Sequence, residues 1–169
     1  MTHGQDDCIT AMIEDPAGST VRHVLDPEHG WITYRHPYAR RPWPANYGFL
    51  PGTYNPADDD PLDVIVLAAS SLPTGTTTRV RPIGLFRRPD GDHKVLAVVC
   101  DDPVYGHARQ LADLPPHVMT AIEEWFADWT VVLGWEDASA TRALIANGQA
   151  AHSARAQQRR DSIHGHSSD

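Results

Sequence analysis

Strand-like segments fill the first 100 residues of this chain, and helical spacing begins only near residue 115. Short apolar runs, several of them alternating with polar residues, are separated by turns rich in proline, glycine and aspartate, a pattern typical of β-strands. The longest run is interrupted by Pro82 and Gly84, which indicate a bend or bulge. The predicted strands occupy residues 9–14, 20–25, 31–35, 62–69, 77–87 and 93–100.

Two helices are predicted after the strands. Pro115 and Pro116 suit a helix start, and a second helix, rich in alanine, is predicted over residues 138–156. Strands followed by helices define a β-rich α+β protein, and five or six short strands favour a closed barrel with two flanking C-terminal helices. Apolar residues recur at helical spacing in the first helix: Val118, Met119, Ile122, Trp125, Phe126 and Trp129.

The length of 169 residues fits one domain with a substantial core. We predict a disordered N-terminus over residues 1–8 and a single domain over residues 9–156. A disordered tail is predicted over residues 157–169, which are polar and rich in arginine and serine.

Composition excludes several classes of protein. The net charge of −8 argues against a nucleic-acid-binding protein, because such proteins usually present a basic face. No apolar run approaches the roughly 20 residues that cross a membrane, and the polar, acidic start does not resemble a signal peptide. Cys8 and Cys100 could form one disulfide, but a reduced, cytoplasmic protein is the expectation.

An acidic stretch over residues 58–63 runs directly into an apolar strand. Four carboxylates lie within these six residues, and a bound divalent cation would relieve their mutual repulsion. Pro61 favours an extended backbone at Asp60, so Asp58, Asp60 and Asp63 could converge at the mouth of a barrel. The alternative, a solvated turn before a strand, stays open at this point.

A second acidic turn covers residues 90–94. Asp90 and Asp92 lie beside Lys94, and two acidic clusters on neighbouring strand ends could together hold two or more metal ions. An ordinary hairpin turn explains the same residues.

Cationic side chains on separate strands suit an anionic ligand. Arg22 and Arg35 offer planar forks that match phosphate oxygens, and Lys94 offers a point charge. Tyr47 lies shortly before the acidic stretch and could donate its hydroxyl to a phosphate. Taken singly, each of these residues is more often a surface or packing residue.

Residues 58–64 (DDDPLDV) match the D-x-D-P-x-D-V signature of the soluble inorganic pyrophosphatases of the Mg²⁺-dependent, barrel-type family. The resemblance covers roughly residues 9–150, and the ordered series of motifs makes it specific. Further matches are residues 14–19 (EDPAGS), 43–49 (WPANYGF), 79–84 (RVRPIG), 101–105 (DDPVY), 113–115 (DLP) and 134–135 (GW).

The resemblance implies a five-stranded OB-like closed barrel and hydrolysis of pyrophosphate to two phosphates. It also implies a homo-oligomer, commonly a hexamer in bacteria, with several Mg²⁺ ions, for which Mn²⁺ or Zn²⁺ could substitute. The residue roles that it implies are Asp60 as general base; Asp58, Asp63, Asp90 and Asp92 as metal ligands; Glu14 as a ligand through water; and Arg22, Arg35, Tyr47 and Lys94 as substrate contacts.

The sequence departs from the family pattern at the far side of the expected site. The turn from Asp90 to Lys94 is about three residues shorter than usual, and Trp129-Thr130 replaces the family's Tyr-Lys pair. Losing a charge-assisted contact costs on the order of 1.5–3 kcal/mol. Two alternatives therefore stay open: a weakened or inactive homologue that binds metal and a phosphorylated ligand, and a hydrolase of another phosphoanhydride.

Overall fold

The computed structural model describes residues 7–35 and 41–165. Within them the strands are β1 (Ile9–Asp15), β2 (Val21–Asp26), β3 (Gly30–Arg35), β4 (Asn46–Phe49), β5 (Asp63–Leu67), β6 (Thr77–Phe86), β7 (Lys94–Val99) and β8 (Trp135–Glu136). The α-helices are α1 (Pro116–Ala127) and α2 (Ala138–His164), and a short 3-10 helix covers Leu111–Asp113.

Five of these strands close into a barrel. Neighbouring strands pair in the order β1-β4-β5-β7-β6, and β6 pairs back to β1. β5 and β7 are parallel, whereas the other barrel pairs are antiparallel. The register shifts between Pro82 and Gly84, which confirms the predicted bulge. The predicted closed five-stranded barrel with two C-terminal helices is therefore confirmed.

The barrel sheet buries both of its faces because consecutive side chains in a strand point to opposite sides. In β5, Val64 and Val66 join one core cluster, which Ile145 of α2 also contacts. Ile65 and Leu67 join the second cluster, which packs against the apolar stripe of α1. This double burial explains why β5 and β7 are continuous apolar runs instead of alternating ones.

A separate hairpin of β2 and β3 stands beside the barrel. Its two strands, both of which the sequence predicted, pair in register from Val21–Arg35 to Asp26–Gly30. Several of its apolar side chains are exposed: Leu25, Trp31, Ile32 and Tyr34.

Helix α2 is longer than the sequence indicated. It begins with Asp137 as N-cap and continues to His164, so the disordered tail predicted from residue 157 is wrong as far as residue 164. Its last buried residue is Gly148, and the turns beyond Ala156 are exposed. Local helix propensity in the alanine- and arginine-rich segment accounts for the continuation. Residues 166–169 of the predicted tail lie outside the described residues.

The two cysteines form a disulfide that the composition did not favour. Cys8 and Cys100 are bonded with their Cα atoms 6.4 Å apart, so the expectation of reduced cysteines is wrong. The pairing arises because β1 lies against β6, which brings the N-terminal segment to the end of β7. Of the N-terminal stretch predicted to be disordered, residues 1–6 lie outside the described residues.

Neither described helix combines the length and the apolar character that a membrane crossing requires.

Candidate active site

The parallel pairing of β5 and β7 places the first residues of both strands at the same end of the barrel. Asp63 opens β5, Lys94 opens β7, and the two residues are direct partners in the register. Phe49, the last residue of β4, pairs with Asp63 from the other side. The loop before β5 and the turn before β7 therefore meet at this mouth.

Three carboxylates converge there. Oxygen atoms of Asp58, Asp63 and Asp92 all lie within 4.8 Å of one another. The Oδ1 atom of Asp92 is buried and has no hydrogen-bond partner among the described residues. Carboxylate oxygens are the ligands that hard divalent cations prefer, and an unsatisfied buried oxygen is costly unless a cation binds it. The donor set therefore fits a divalent metal ion.

The charge state of these carboxyls reflects their crowding. Burial, followed by the charges of Asp92 and Asp63, raises the pKa of Asp58 to about 7. Burial also raises the pKa of Asp63, although Lys94 opposes that shift. The pKa of Asp92 lies below its ordinary value because Lys94 and Arg88 outweigh the effect of its burial. Burial and like charges thus favour the protonated form of Asp58 by raising its pKa, whereas neighbouring cations favour the ionised form of Asp92 by lowering its pKa.

Lys94 is buried against this cluster. Only 3% of its side chain is exposed; its Nζ atom donates to Asp63 and, at 2.9 Å, to Oδ2 of Asp92. It also lies 5.7 Å from the ring centroid of Tyr47. Burial acts to lower the pKa of Lys94, but Tyr47, Asp63 and Asp92 raise it above its ordinary value. Lys94 is therefore a fixed positive charge.

A second cation enters from the hairpin. The guanidinium of Arg22 donates to Asp15, lies 3.8 Å from Glu14, and covers the ring of Tyr47 at 5.0 Å from its centroid. Asp15 is completely buried, and its Oδ1 also accepts hydrogen bonds from the backbone and ring of His23. Asp15 thus orients Arg22 toward the mouth. Sequence reasoning did not select Asp15, although its position next to Glu14 forms an acidic pair that could have indicated it.

Glu14 is buried on the same side, at the end of β1. Burial raises the pKa of Glu14 to about 7; Arg22 lowers it, whereas Asp63 and Asp15 raise it. Glu14 lines the cavity at the mouth but lies outside the three-carboxylate cluster.

Asp60 lines the open cavity at the mouth. The cavity has a volume of about 370 Å³, and Glu14, Arg22 and Asp63 share its wall with Asp60. The backbone amide of Asn55 donates to the carbonyl of Asp60 at 2.8 Å, which closes the acidic loop. Burial, Asp59 and Asp92 raise the pKa of Asp60. A carboxyl with a raised pKa beside an open cavity can act as a proton acceptor.

Two predicted site residues are not brought to this cluster. Arg35 pairs with Val21, whereas Arg22 pairs with Tyr34, so the two arginines occupy alternate register positions of the hairpin and its opposite faces. Asp90 is 55% exposed, and its carboxylate lies 3.1 Å from Arg88 instead of joining Asp58, Asp63 and Asp92. Tyr34, which the sequence analysis did not select, lines the cavity.

A closed barrel whose mouth combines clustered carboxylates with buried cations defines a scaffold for metal-assisted chemistry on an anion. The model of the inorganic pyrophosphatase family matches residues 11–153. The chain therefore belongs to the inorganic pyrophosphatase family.

Individual relatives agree with this assignment. The chain is 35% identical over 149 residues to the inorganic pyrophosphatase of Nostoc sp., covering 81% of this chain and 87% of that protein. It is 39% identical over 122 residues to the soluble inorganic pyrophosphatase of indica rice, covering 70% of this chain. The aligned region spans only 56% of the length of that plant protein.

Solved structures show the same fold. The inorganic pyrophosphatase of Thermus thermophilus superposes with a TM-score of 0.79 at 29% identity, covering 89% of this chain and 94% of that one. The enzyme from Ehrlichia chaffeensis gives a TM-score of 0.78, also at 29% identity, covering 88% and 98%. The likeness thus extends over nearly the whole length of these bacterial proteins.

Proposed function

We propose that the protein hydrolyses inorganic pyrophosphate to two phosphates with the help of Mg²⁺. The observation that carries the proposal is the convergence of Asp58, Asp63 and Asp92 within 4.8 Å, beside the buried cations Arg22 and Lys94. Carboxylates hold divalent cations, and fixed cations bind phosphate oxygens, so this mouth suits a metal–pyrophosphate complex. The names of the Nostoc and rice relatives support the same reaction.

Each residue of the site has a distinct role in the proposed reaction. Asp58, Asp63 and Asp92 would hold divalent ions, which would offset the charge of the substrate and lower the pKa of a bound water. Asp60 accepts the proton of the attacking water as its oxygen bonds to phosphorus and the bridging P–O bond breaks. Arg22 and Lys94 stabilise the charge that develops on the phosphoryl oxygens. The aromatic ring of Tyr47 lies close to both cations.

Other assignments stay predictions. Glu14 would hold a metal ion through water, whereas the position of Arg35 on the opposite face of the hairpin from Arg22 does not support its predicted contact with phosphate. Mn²⁺ or Zn²⁺ are proposed substitutes for Mg²⁺.

The proposal is tested by phosphate release from pyrophosphate with and without Mg²⁺. Asp60→Asn is expected to reduce turnover by about 100-fold or more, because general-base catalysis contributes roughly two to four decades. Asp101→Asn is the matched control, since Asp101 is an exposed aspartate beyond the opposite end of β7. Full activity in Asp60→Asn would refute the role of Asp60. Binding of pyrophosphate without any turnover by the wild type would instead favour the non-catalytic alternative.

A groove beside the mouth favours a second candidate, hydrolysis of a longer phosphoanhydride. Arg155 of α2 stacks 3.9 Å from the ring centroid of Tyr54, and Arg159 lies along the same groove. The groove shares Phe49 and Asp60 with the active-site cavity. Its basic wall could therefore hold the additional phosphate of inorganic tripolyphosphate.

This candidate is tested by comparing kcat/KM for tripolyphosphate and for pyrophosphate. The double variant Arg155→Gln/Arg159→Gln is expected to lose several-fold activity toward tripolyphosphate and to keep its activity toward pyrophosphate. Arg142→Gln serves as a control, since Arg142 lies on the first turns of α2 away from this groove. Equal losses for both substrates would exclude a role of the groove in substrate choice.

The assembly and location of the protein are also proposals. The exposed apolar residues Leu25, Trp31 and Ile32 of the hairpin support a homo-oligomer, for which the family resemblance suggests a hexamer. The absence of a nucleic-acid partner is proposed from composition, whereas the cytoplasmic location that composition also suggested is opposed by the Cys8–Cys100 disulfide. Light scattering coupled to size-exclusion chromatography tests the assembly directly.

A further inference from the structure

Arg88 is held rigidly at the far side of the carboxylate cluster. Only 11% of its side chain is exposed, and its guanidinium lies 5.1 Å from the ring centroid of Trp129. Its Nε atom donates to the Thr130 hydroxyl at 3.1 Å. Its two terminal nitrogens reach Asp92 at 2.9 Å and Asp90 at 3.1 Å. Two segments of the chain, residues 90–92 and residues 129–130, thus fix one guanidinium between two acidic side chains.

These contacts occupy carboxylate oxygens that a metal ion would otherwise use. Oδ2 of Asp92 accepts from both Arg88 and Lys94, which leaves Oδ1 for the cluster with Asp58. Oδ2 of Asp90 pairs with Arg88, and Oδ1 of Asp90 accepts from the backbone amide of Asp92. Both oxygens of Asp90 are therefore engaged within the turn itself.

We propose that Arg88 is a built-in cation that takes the place of one divalent metal ion at this turn. The inference rests on the proposed metal site. A guanidinium stays protonated at every physiological pH, and its fork satisfies two carboxylates at once. A divalent ion added between Asp90 and Asp92 would meet this fixed positive charge at close range. Metal binding is thereby confined to the side of the cluster formed by Asp58, Asp63 and Asp92.

The test measures metal binding without substrate, by titration calorimetry with Mn²⁺ as the probe. Arg88→Gln is expected to bind one more ion per chain than the wild type and to bind the first ions several-fold more tightly. Arg87→Gln is the matched control, because the neighbouring Arg87 pairs with Glu136 at 2.6 Å. This control is expected to keep the stoichiometry of the wild type. If Arg88→Gln and Arg87→Gln bind Mn²⁺ alike, the proposal is overturned.

A second variant keeps the test decisive if Arg88→Gln folds poorly. Asp90→Asn leaves Arg88 beside Asp92 and is expected to retain the wild-type number of bound ions. Loss of an ion in this variant would make Asp90 a ligand and overturn the proposal. The double variant Arg88→Gln/Asp90→Asn is expected to lose the additional ion that Arg88→Gln gains. Pyrophosphate hydrolysis by the wild type is measured separately, so failure of the proposed function is distinguished from failure of this inference.

Discussion

At the scale of single residues, the site depends on one buried cation. Lys94 is the only lysine in the sequence, and it pairs with two members of the three-carboxylate cluster, Asp63 and Asp92. Removing one partner of a buried ion pair leaves the other charge uncompensated, and this is more costly than losing the attraction alone. Lys94 therefore stabilises the fold as well as positioning Asp63 and Asp92.

Lys94→Gln is expected to destabilise the metal-free protein by about 3 kcal/mol or more, because Asp63 would stay buried without its cation and Asp92 would keep only Arg88. Mg²⁺ should restore part of this loss, since a divalent ion at the cluster supplies the missing positive charge. Urea denaturation with and without Mg²⁺ measures both effects. A stabilisation by Mg²⁺ that is no larger in the variant than in the wild type would contradict the proposed coupling.

At the scale of the elements, barrel closure requires strands to approach closely at particular positions. A Cβ atom added to Gly48 in β4 would collide with the backbone carbonyl of Met12 in β1. A Cβ atom at Gly84 in β6 would instead overlap the side chain of Leu111, which has rotamers available. The two glycines therefore differ in what must move when a methyl group is added.

Gly48→Ala is expected to lower the free energy of unfolding by roughly 3 kcal/mol or more, because β1 and β4 would have to separate. Gly84→Ala should cost less, on the order of 1–3 kcal/mol, because only a side chain is displaced. Thermal and chemical denaturation of the two variants gives the comparison. A larger loss for Gly84→Ala would show that the close contact of β1 with β4 is not the critical one.

At the scale of the whole molecule, the disulfide links segments that are far apart in the sequence. Cys8 and Cys100 are separated by 92 residues, and the bond encloses the whole barrel, from the N-terminal strand to the end of β7. A cross-link that closes so long a loop stabilises the fold mainly by lowering the conformational entropy of the unfolded chain. Disulfides persist mostly in oxidising surroundings, so this bond bears directly on where the protein works.

Cys8→Ser is expected to reduce stability by up to about 4.6 kcal/mol, the size that chain entropy gives for a loop of this length. The wild type treated with dithiothreitol should match the variant. Unfolding curves under oxidising and reducing conditions measure the difference. Identical curves in both conditions would mean that the bond does not contribute to the stability of the folded protein.

Much of this protein was predictable from the sequence because the relevant signals are local. Six of the eight described strands, the bulge at Pro82 and Gly84, and the start of α1 follow from periodicity and from turn residues, whereas β4 and β8 were not predicted. The acidic stretch also indicated its own role, since Asp58 and Asp63 are close in sequence and remain close in the fold. The length of α2 was underestimated because its final turns carry no apolar stripe to predict them.

The rest was decided by the tertiary structure, because barrel closure joins residues that no local pattern connects. The parallel pairing of β5 with β7 brought Asp92 and Lys94 to Asp63, and the pairing of β1 with β6 brought Cys8 to Cys100. Register alone placed Arg22 and Arg35 on opposite faces of the hairpin. Residue type and spacing thus determined which chemical groups were available, whereas strand register, fixed by long-range packing, decided which of them meet.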